Sequence, residues 1–96
     1  MDIISNVKIE EYCRKYPNAR NALLTWYDHI TRANYKKPQD VQEDWGPAVI
    51  VRKLAIFNIK GKHYRLIAKI NYEFQIVKIE WFGTHAQYNR IDIDRL

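Results

Sequence analysis

Two periods of apolar residues divide the chain. Met1 to Ile4 reads as a short strand, and Ser5 or Asn6 offers a side-chain oxygen to cap a first helix. Ile9, Tyr12, Cys13 and Tyr16 then fall at i, i+3, i+4 and i+7, one stripe of an amphipathic helix that Pro17 stops. Asn18 is the expected cap of a second helix. Its inner stripe is Ala19, Ala22, Leu23, Trp26, Ile30 and Ala33, and its outer side carries Arg20, Asn21, Asp28, His29 and Arg32. Lys36-Lys37-Pro38 closes this helix, with cations near its carbonyl end. Asp40 and Glu43 have capping-box spacing and predict one helical turn before a Trp45-Gly46-Pro47 loop.

From Val49 the period becomes two. Lys60-Gly61 and Tyr72-Glu73 are the expected two-residue turns of successive hairpins. Pairing about the first sets Phe57 against Tyr64 and Ala55 against Leu66. Pairing about the second sets Tyr64 against Trp81, Leu66 against Ile79 and Ala68 against Val77. Both registers put Tyr64, Leu66, Ala68 and Ile70 on one apolar face, and a one-residue slip in either would destroy that agreement. The expected architecture is α+β: two N-terminal helices packed on a three-stranded antiparallel meander, joined by the N-terminal strand, in a single domain spanning 1–96.

Composition narrows the class. Ninety-six residues suit one domain that buries roughly 60–65% of its unfolded surface. No apolar run approaches the ~20 residues of a membrane helix, so no membrane partner is expected. Asp2, Asn6, Lys8 and Glu10 stand where a signal peptide would be apolar. A lone cysteine, Cys13, makes no internal disulfide, and a cytoplasmic location is expected. Sixteen Lys and Arg against eleven Asp and Glu leave a net charge of +5, suited to a polyanionic partner.

The reverse face of the meander is the candidate surface for chemistry. It carries Leu54, Ile56 and Asn58, then His63, Arg65, Ile67 and Lys69, then Ile76, Lys78, Glu80 and Phe82. Cations among flat apolar groups are how a single-stranded nucleic acid is held, charge following phosphate and rings stacking on bases. Two other readings stand beside it. The face could be an ordinary solvated one in which Arg65 pairs with Glu80 across the ladder, a contact contributing about 0–1 kcal/mol, or Leu54, Ile56 and Ile67 could seat a protein partner. His29, His63 and His85 lack metal-ligand spacing, Asp92 and Asp94 do not make a metal pair, and three glycines form no phosphate-cradling loop, so neither metal nor cofactor is expected. The stretch from Gly83 to Arg90 places an imidazole, a phenol and a guanidinium within eight residues, directly after the last strand.

The run Phe57-Asn58-Ile59-Lys60-Gly61-Lys62-His63-Tyr64-Arg65-Leu66-Ile67, then Ile70-Asn71-Tyr72 and Phe82-Gly83-Thr84-His85-Ala86-Gln87-Tyr88, resembles the HigB family of bacterial toxins, within the wider RelE-like group. The likeness extends to Ile3-Ile4-Ser5 and Trp26-Tyr27, nearly the whole chain. Where family members carry Asp after the tyrosine, this chain has Asn89.

The resemblance implies a compact RelE-like fold with helices against a mostly antiparallel sheet. It implies an mRNA interferase that cuts messenger RNA at translating ribosomes without metal, the ribose 2′-hydroxyl attacking the adjacent phosphate. It also implies a HigA-type antitoxin partner, with operator DNA reached only through the antitoxin complex. Carried onto this sequence, the motif makes Arg65, His85 and Tyr88 the expected catalytic residues. Arg65 would clamp phosphate with its planar fork, His85 would serve as general acid or base, and Tyr88 would orient the nucleotide or donate a proton. Lys60, Lys62, His63, Lys69 and Arg90 are the expected RNA contacts. The competing class is a non-catalytic module that holds RNA or a protein on the same basic and apolar face.

Overall fold

The computed structural model describes residues 1–4, 7–46 and 48–96. Strands β1 (Asp2–Ile4), β2 (Val49–Val51), β3 (Leu54–Ile59), β4 (Tyr64–Asn71) and β5 (Ile76–Thr84) form one sheet in the order β1-β5-β4-β3-β2. In this sheet β1 runs parallel to its neighbour and the other pairings are antiparallel. Helices α1 (Val7–Lys15), α2 (Arg20–Arg32) and α3 (Pro38–Trp45) precede β2, and a single turn, α4 (His85–Tyr88), follows β5. This is the expected α+β class. Strand β2 extends the meander by an edge strand, reached through a tight turn at Arg52, whose φ is +56°.

One face of the sheet carries the main core. Ile9, Ala19, Leu23, Trp26, Ile30 and Val41 from the helices close on Ala55, Phe57, Ile59, Leu66, Ala68, Ile70, Val77, Ile79 and Phe82 from the strands. Strands β3 and β4 are thus two-faced, as their alternation predicts. The turns differ in length. Each hairpin spans four residues between strand ends, 60–63 and 72–75, and Lys60, Gly61 and Gln75 take positive φ. In the β3–β4 ladder the added two residues set Phe57 opposite Leu66 and Ile59 opposite Tyr64. A shift of two preserves the faces, so the longer turn leaves the core composition unchanged.

The β4–β5 ladder is different. Ile70 faces Val77 and Ala68 faces Ile79, but Ile67 faces Trp81, so Glu80 is an extra residue in a bulge. Beyond it every side chain of β5 changes face. Phe82, expected on the reverse face, enters the core, where it stacks on Tyr64 at 5.5 Å and packs against the Tyr12 and Tyr16 rings. Trp81, expected in the core, turns to the reverse face. Gly83, and not Glu80, lies opposite Arg65. The Arg65–Glu80 pair of the solvated-face reading does not form, and Glu80 lies instead 3.9 Å from Lys78.

Helix ends also depart from expectation. Pro17, Asn18 and Ala19 form a 3-10 turn, so Asn18 lies within it and Ala19 is the N-cap of α2. That helix stops at Arg32, ahead of Lys36 and Lys37. Beside Arg32 of its last turn, the Met1 ammonium serves its carbonyl end, donating to Ile30, Thr31 and Ala33 oxygens at 3.3, 3.1 and 2.8 Å. The single turn expected near Asp40 is a two-turn helix with Pro38 in its first turn, and Asp40 accepts from the Lys36 amide at 2.8 Å. The expected caps Ser5 and Asn6, and Pro47 of the expected loop, lie outside the described residues. No helix among those described is long and apolar enough to cross a membrane.

Candidate active site

The reverse face is not bare. Leu54, Ile56 and Ile67 are 5%, 1% and 0% exposed because the chain's own C-terminal segment lies on them. Tyr88, Ile91 and Ile93, with Val51 and Trp81, complete this second apolar cluster. The apolar seat read as a possible partner surface is thus filled from within, and the open, solvated face is excluded over these three residues. A 3-10 turn at Ile93–Arg95, an Arg52–Asp94 ion pair and an Asp92–Arg95 pair fasten the tail's end.

Where the apolar cluster ends, the polar site begins. Arg65 projects from β4 on this face, two residues from the β3–β4 turn, and α4 folds over it. The guanidinium Nη2 lies 3.4 Å from His85 Nε2, and its Cζ sits 4.8 Å from the centre of the Tyr88 ring. Arginine only donates, so this contact needs the lone pair of an imidazole whose Nε2 is unprotonated. The phenol ring holds the guanidinium plane by cation–π attraction, and Trp81 backs that ring at 6.2 Å.

Local rules explain why α4 sits here. Thr84 caps it, accepting from Gln87 N at 3.2 Å, while Gln87 Oε1 accepts from Thr84 N at 2.9 Å, a capping box in a four-residue helix. The same Gln87 oxygen accepts from Tyr16 Oη at 2.9 Å, tying α4 to the end of α1. The His85 amide donates to the His63 carbonyl at 3.0 Å, which fixes His85 against the β3–β4 turn. Gly83 completes the arrangement. A Cβ there would lie 2.6 Å from Gln87 Oε1 and 2.8 Å from the Trp81 ring, so only glycine lets both close over the strand.

The expected residues divide into two groups. Arg65, His85 and Tyr88 come together. Lys60, Lys62 and His63 are exposed on the adjoining turn, and Arg90 is exposed just after α4. Lys69 is elsewhere. Four residues along β4 from Arg65, on the order of 13 Å away at strand rise, it is paired with Leu54 on one side and Lys78 on the other.

Sequence reasoning misses two members of the site. Trp81 is expected in the core because a bulge is invisible to a period-two count. Asn58 is expected on the correct face, but without a role. It lies directly opposite Arg65 in the β3–β4 ladder, and its buried Oδ1 has no hydrogen-bond partner. Arg65 Nε is buried and unpartnered as well. Each such group costs about 1–3 kcal/mol relative to a satisfied one. The signal is one amide in an otherwise apolar strand, Leu54–Ile59, across from the motif arginine.

A further titratable cluster lies far from this site. Asp44 of α3 accepts from Tyr35 Oη and lies 2.6 Å from His29 Nε2, while Trp45 Nε1 donates to Tyr35 Oη at 2.8 Å. Burial raises the Asp44 carboxyl, but hydrogen bonds from Tyr35 and His29 outweigh it and hold the group below its ordinary 3.8. Burial, then the Asp44 hydrogen bond, drive the Tyr35 phenol well above its ordinary range. The cluster locks α2 to α3. Among the described residues no three His, Cys, Asp or Glu side chains converge as metal ligands.

Comparison with known proteins gives the family. Residues 19–91 match the HigB toxin family, described as the RelE-like toxic component of a toxin–antitoxin system. The chain is 28% identical over 94 residues to the mRNA interferase HigB of Escherichia coli O6:H1, covering 95% of this chain and 91% of that protein. It is 25% identical over 93 residues to the mRNA interferase toxin HigB of Escherichia coli strain K12 and to the mRNA interferase HigB of Shigella flexneri, covering 93% of this chain and 88% of each. The matched segment contains every side chain of the Arg65 site, and the chain belongs to the HigB family of RelE-like toxins.

Proposed function

We propose that this toxin is an endoribonuclease acting on messenger RNA at translating ribosomes, and that Arg65, His85 and Tyr88 carry the reaction. The observation that supports this reading is the convergence of Arg65 Nη2 and His85 Nε2 at 3.4 Å beneath the Tyr88 ring. One group that holds a phosphate and one that moves a proton therefore meet at one place on a basic rim. The names borne by the relatives, mRNA interferase, fit that chemistry.

The reaction is an internal transesterification. The ribose 2′-oxygen forms a bond to the adjacent phosphorus, the bond from phosphorus to the 5′-oxygen breaks, and the products are a 2′,3′-cyclic phosphate and a 5′-hydroxyl. A base takes the 2′-proton and an acid returns one to the 5′-oxygen. Arg65 places its fork on the non-bridging oxygens, where charge grows in the transition state. With its Nε2 unprotonated, His85 takes the 2′-proton, and Tyr88 orients the nucleotide or supplies the proton to the leaving group. Lys60, Lys62, His63 and Arg90 contact the flanking backbone. Lys69 would touch RNA only about two nucleotides beyond. No carboxylate takes part, and the reaction runs without metal. The partners are mRNA, the ribosome and a HigA-type antitoxin, with operator DNA bound through the antitoxin complex.

The test is a translation extract programmed with a defined message. Purified toxin cuts it, and Arg65→Ala and His85→Ala lose cutting while retaining the thermal transition of the parent. A fully active double variant would contradict the reading. RNA binding by the parent without scission would favour the non-catalytic module.

A further inference from the structure

Asn58 and Arg65 form a directly opposed pair on the site face, one with a buried acceptor and the other with a buried donor, both unpartnered. Directly opposed residues of an antiparallel pair have Cβ atoms roughly 4.5–5.5 Å apart, so the amide and the guanidinium are neighbours across the ladder. The Nη side of the guanidinium is engaged meanwhile by the lone pair of His85 Nε2 and by the Tyr88 ring. If a phosphate draws both Nη groups, Nε remains the one buried donor of the fork, and Asn58 stands across the ladder from Arg65. The other neighbour of Arg65 in the sheet is Gly83, which offers no side chain.

We propose that Asn58 is a positioning residue for Arg65, its side-chain oxygen taking the Nε–H when the guanidinium turns onto a phosphate. The free toxin then holds the pair apart, with Arg65 resting on His85, and substrate closes it. Bound phosphate thus draws the arginine away from the imidazole and frees Nε2 to accept the 2′-proton. The inference rests on the reading of Arg65 as the phosphate clamp.

The experiment is steady-state cleavage by five proteins: parent, Asn58→Leu, Asn58→Asp, Arg65→Lys, and Asn58→Leu combined with Arg65→Lys. Leucine is close to the amide in size and removes the acceptor. Asn58→Leu loses roughly 10- to 100-fold in kcat, the scale of a misdirected catalytic group, while KM moves by less than about threefold. Asn58→Asp, which keeps an acceptor oxygen, retains most of the activity, a rescue that a packing role would not give. Lysine has no Nε–H, so in the Arg65→Lys protein the leucine causes no further loss. Should Asn58→Leu fold poorly, Asn58→Ala against Asn58→Asp makes the same comparison.

Full activity in Asn58→Leu overturns the inference, as does an equal fold-loss with and without the Arg65→Lys substitution. Either result leaves the clamp reading intact if Arg65→Lys is itself impaired. A parent toxin that cleaves no message in the extract overturns the clamp reading, and the positioning role falls with it.

Discussion

Gly83 lies directly across the ladder from Arg65, and its bare backbone is the floor on which Trp81 and Gln87 meet. The arginine therefore has a flat neighbour on one side and Asn58 on the other, and the capping glutamine of α4 rests above. Backbone, bulge and helix cap are parts of one construction. Gly83→Ala places a methyl 2.6 Å from Gln87 Oε1 and 2.8 Å from the Trp81 ring, at a cost of about 1–3 kcal/mol. Its thermal midpoint falls and its cleavage falls further than the stability loss explains, because α4 carries His85. Thermal denaturation beside message cleavage checks this, and an alanine variant with parental values for both would refute it.

The C-terminal segment holds the site from behind. Ile91 and Ile93 cover Leu54, Ile56 and Ile67 and hold Tyr88 beside them. Substituting both by serine removes about 1–3 kcal/mol of apolar burial and lowers cleavage while leaving far-UV circular dichroism largely parental, since the main core lies on the other face. The nearby Arg52–Asp94 pair is exposed on both sides, and its loss through Asp94→Ala changes stability by less than about 1 kcal/mol. Urea denaturation distinguishes these two outcomes.

The Asp44 cluster gives the fold a defined acid dependence. Its folded value lies below the ordinary 3.8, so the ionised form is favoured by folding. That contribution is fully present above the unfolded value and disappears as pH falls through the folded one, so its loss falls below about pH 4. Asp44→Asn lowers stability at neutral pH by about 1 kcal/mol and flattens the acid limb of the parental curve. Tyr35 acts at the other end. Its raised value confers stability that is fully present below the ordinary 10.0 and lost as pH rises through the folded value. Equilibrium unfolding of parent and Asp44→Asn across acid pH is the measurement.

Much of the fold is legible in the chain, for physical reasons that also mark where legibility stops. Strands β3 and β4 alternate cleanly, so their faces survive a hairpin read two residues too short. Strand β5 is apolar at Val77, Ile79, Trp81 and Phe82, and nothing in that run announces that Glu80 is extra. The bulge exchanges Trp81 with Phe82 and, together with a turn two residues longer than the pattern suggests, puts Gly83 in place of Glu80 opposite Arg65. Helix caps fail where Pro17 draws Asn18 into a 3-10 turn. The tail could be matched to its seat, since Ile91 and Ile93 alternate as Leu54 and Ile56 do, but contacts so distant in sequence leave no local trace. Arg65, His85 and Tyr88 are found through the family motif, and their proximity is a fact of the fold.

The chemistry of the cut ends tests the proposed reaction at its first step. A message cleaved by the parent toxin is recovered and its new termini are identified by mass. Attack by the ribose hydroxyl leaves a 2′,3′-cyclic phosphate, or the monophosphate to which it opens, upstream and a free 5′-hydroxyl downstream, and a single 2′-deoxy nucleotide at the cut position abolishes the product. A 5′-phosphate on the downstream fragment, or undiminished cutting of the deoxy-substituted message, would mean that water and not the substrate's own hydroxyl is the nucleophile.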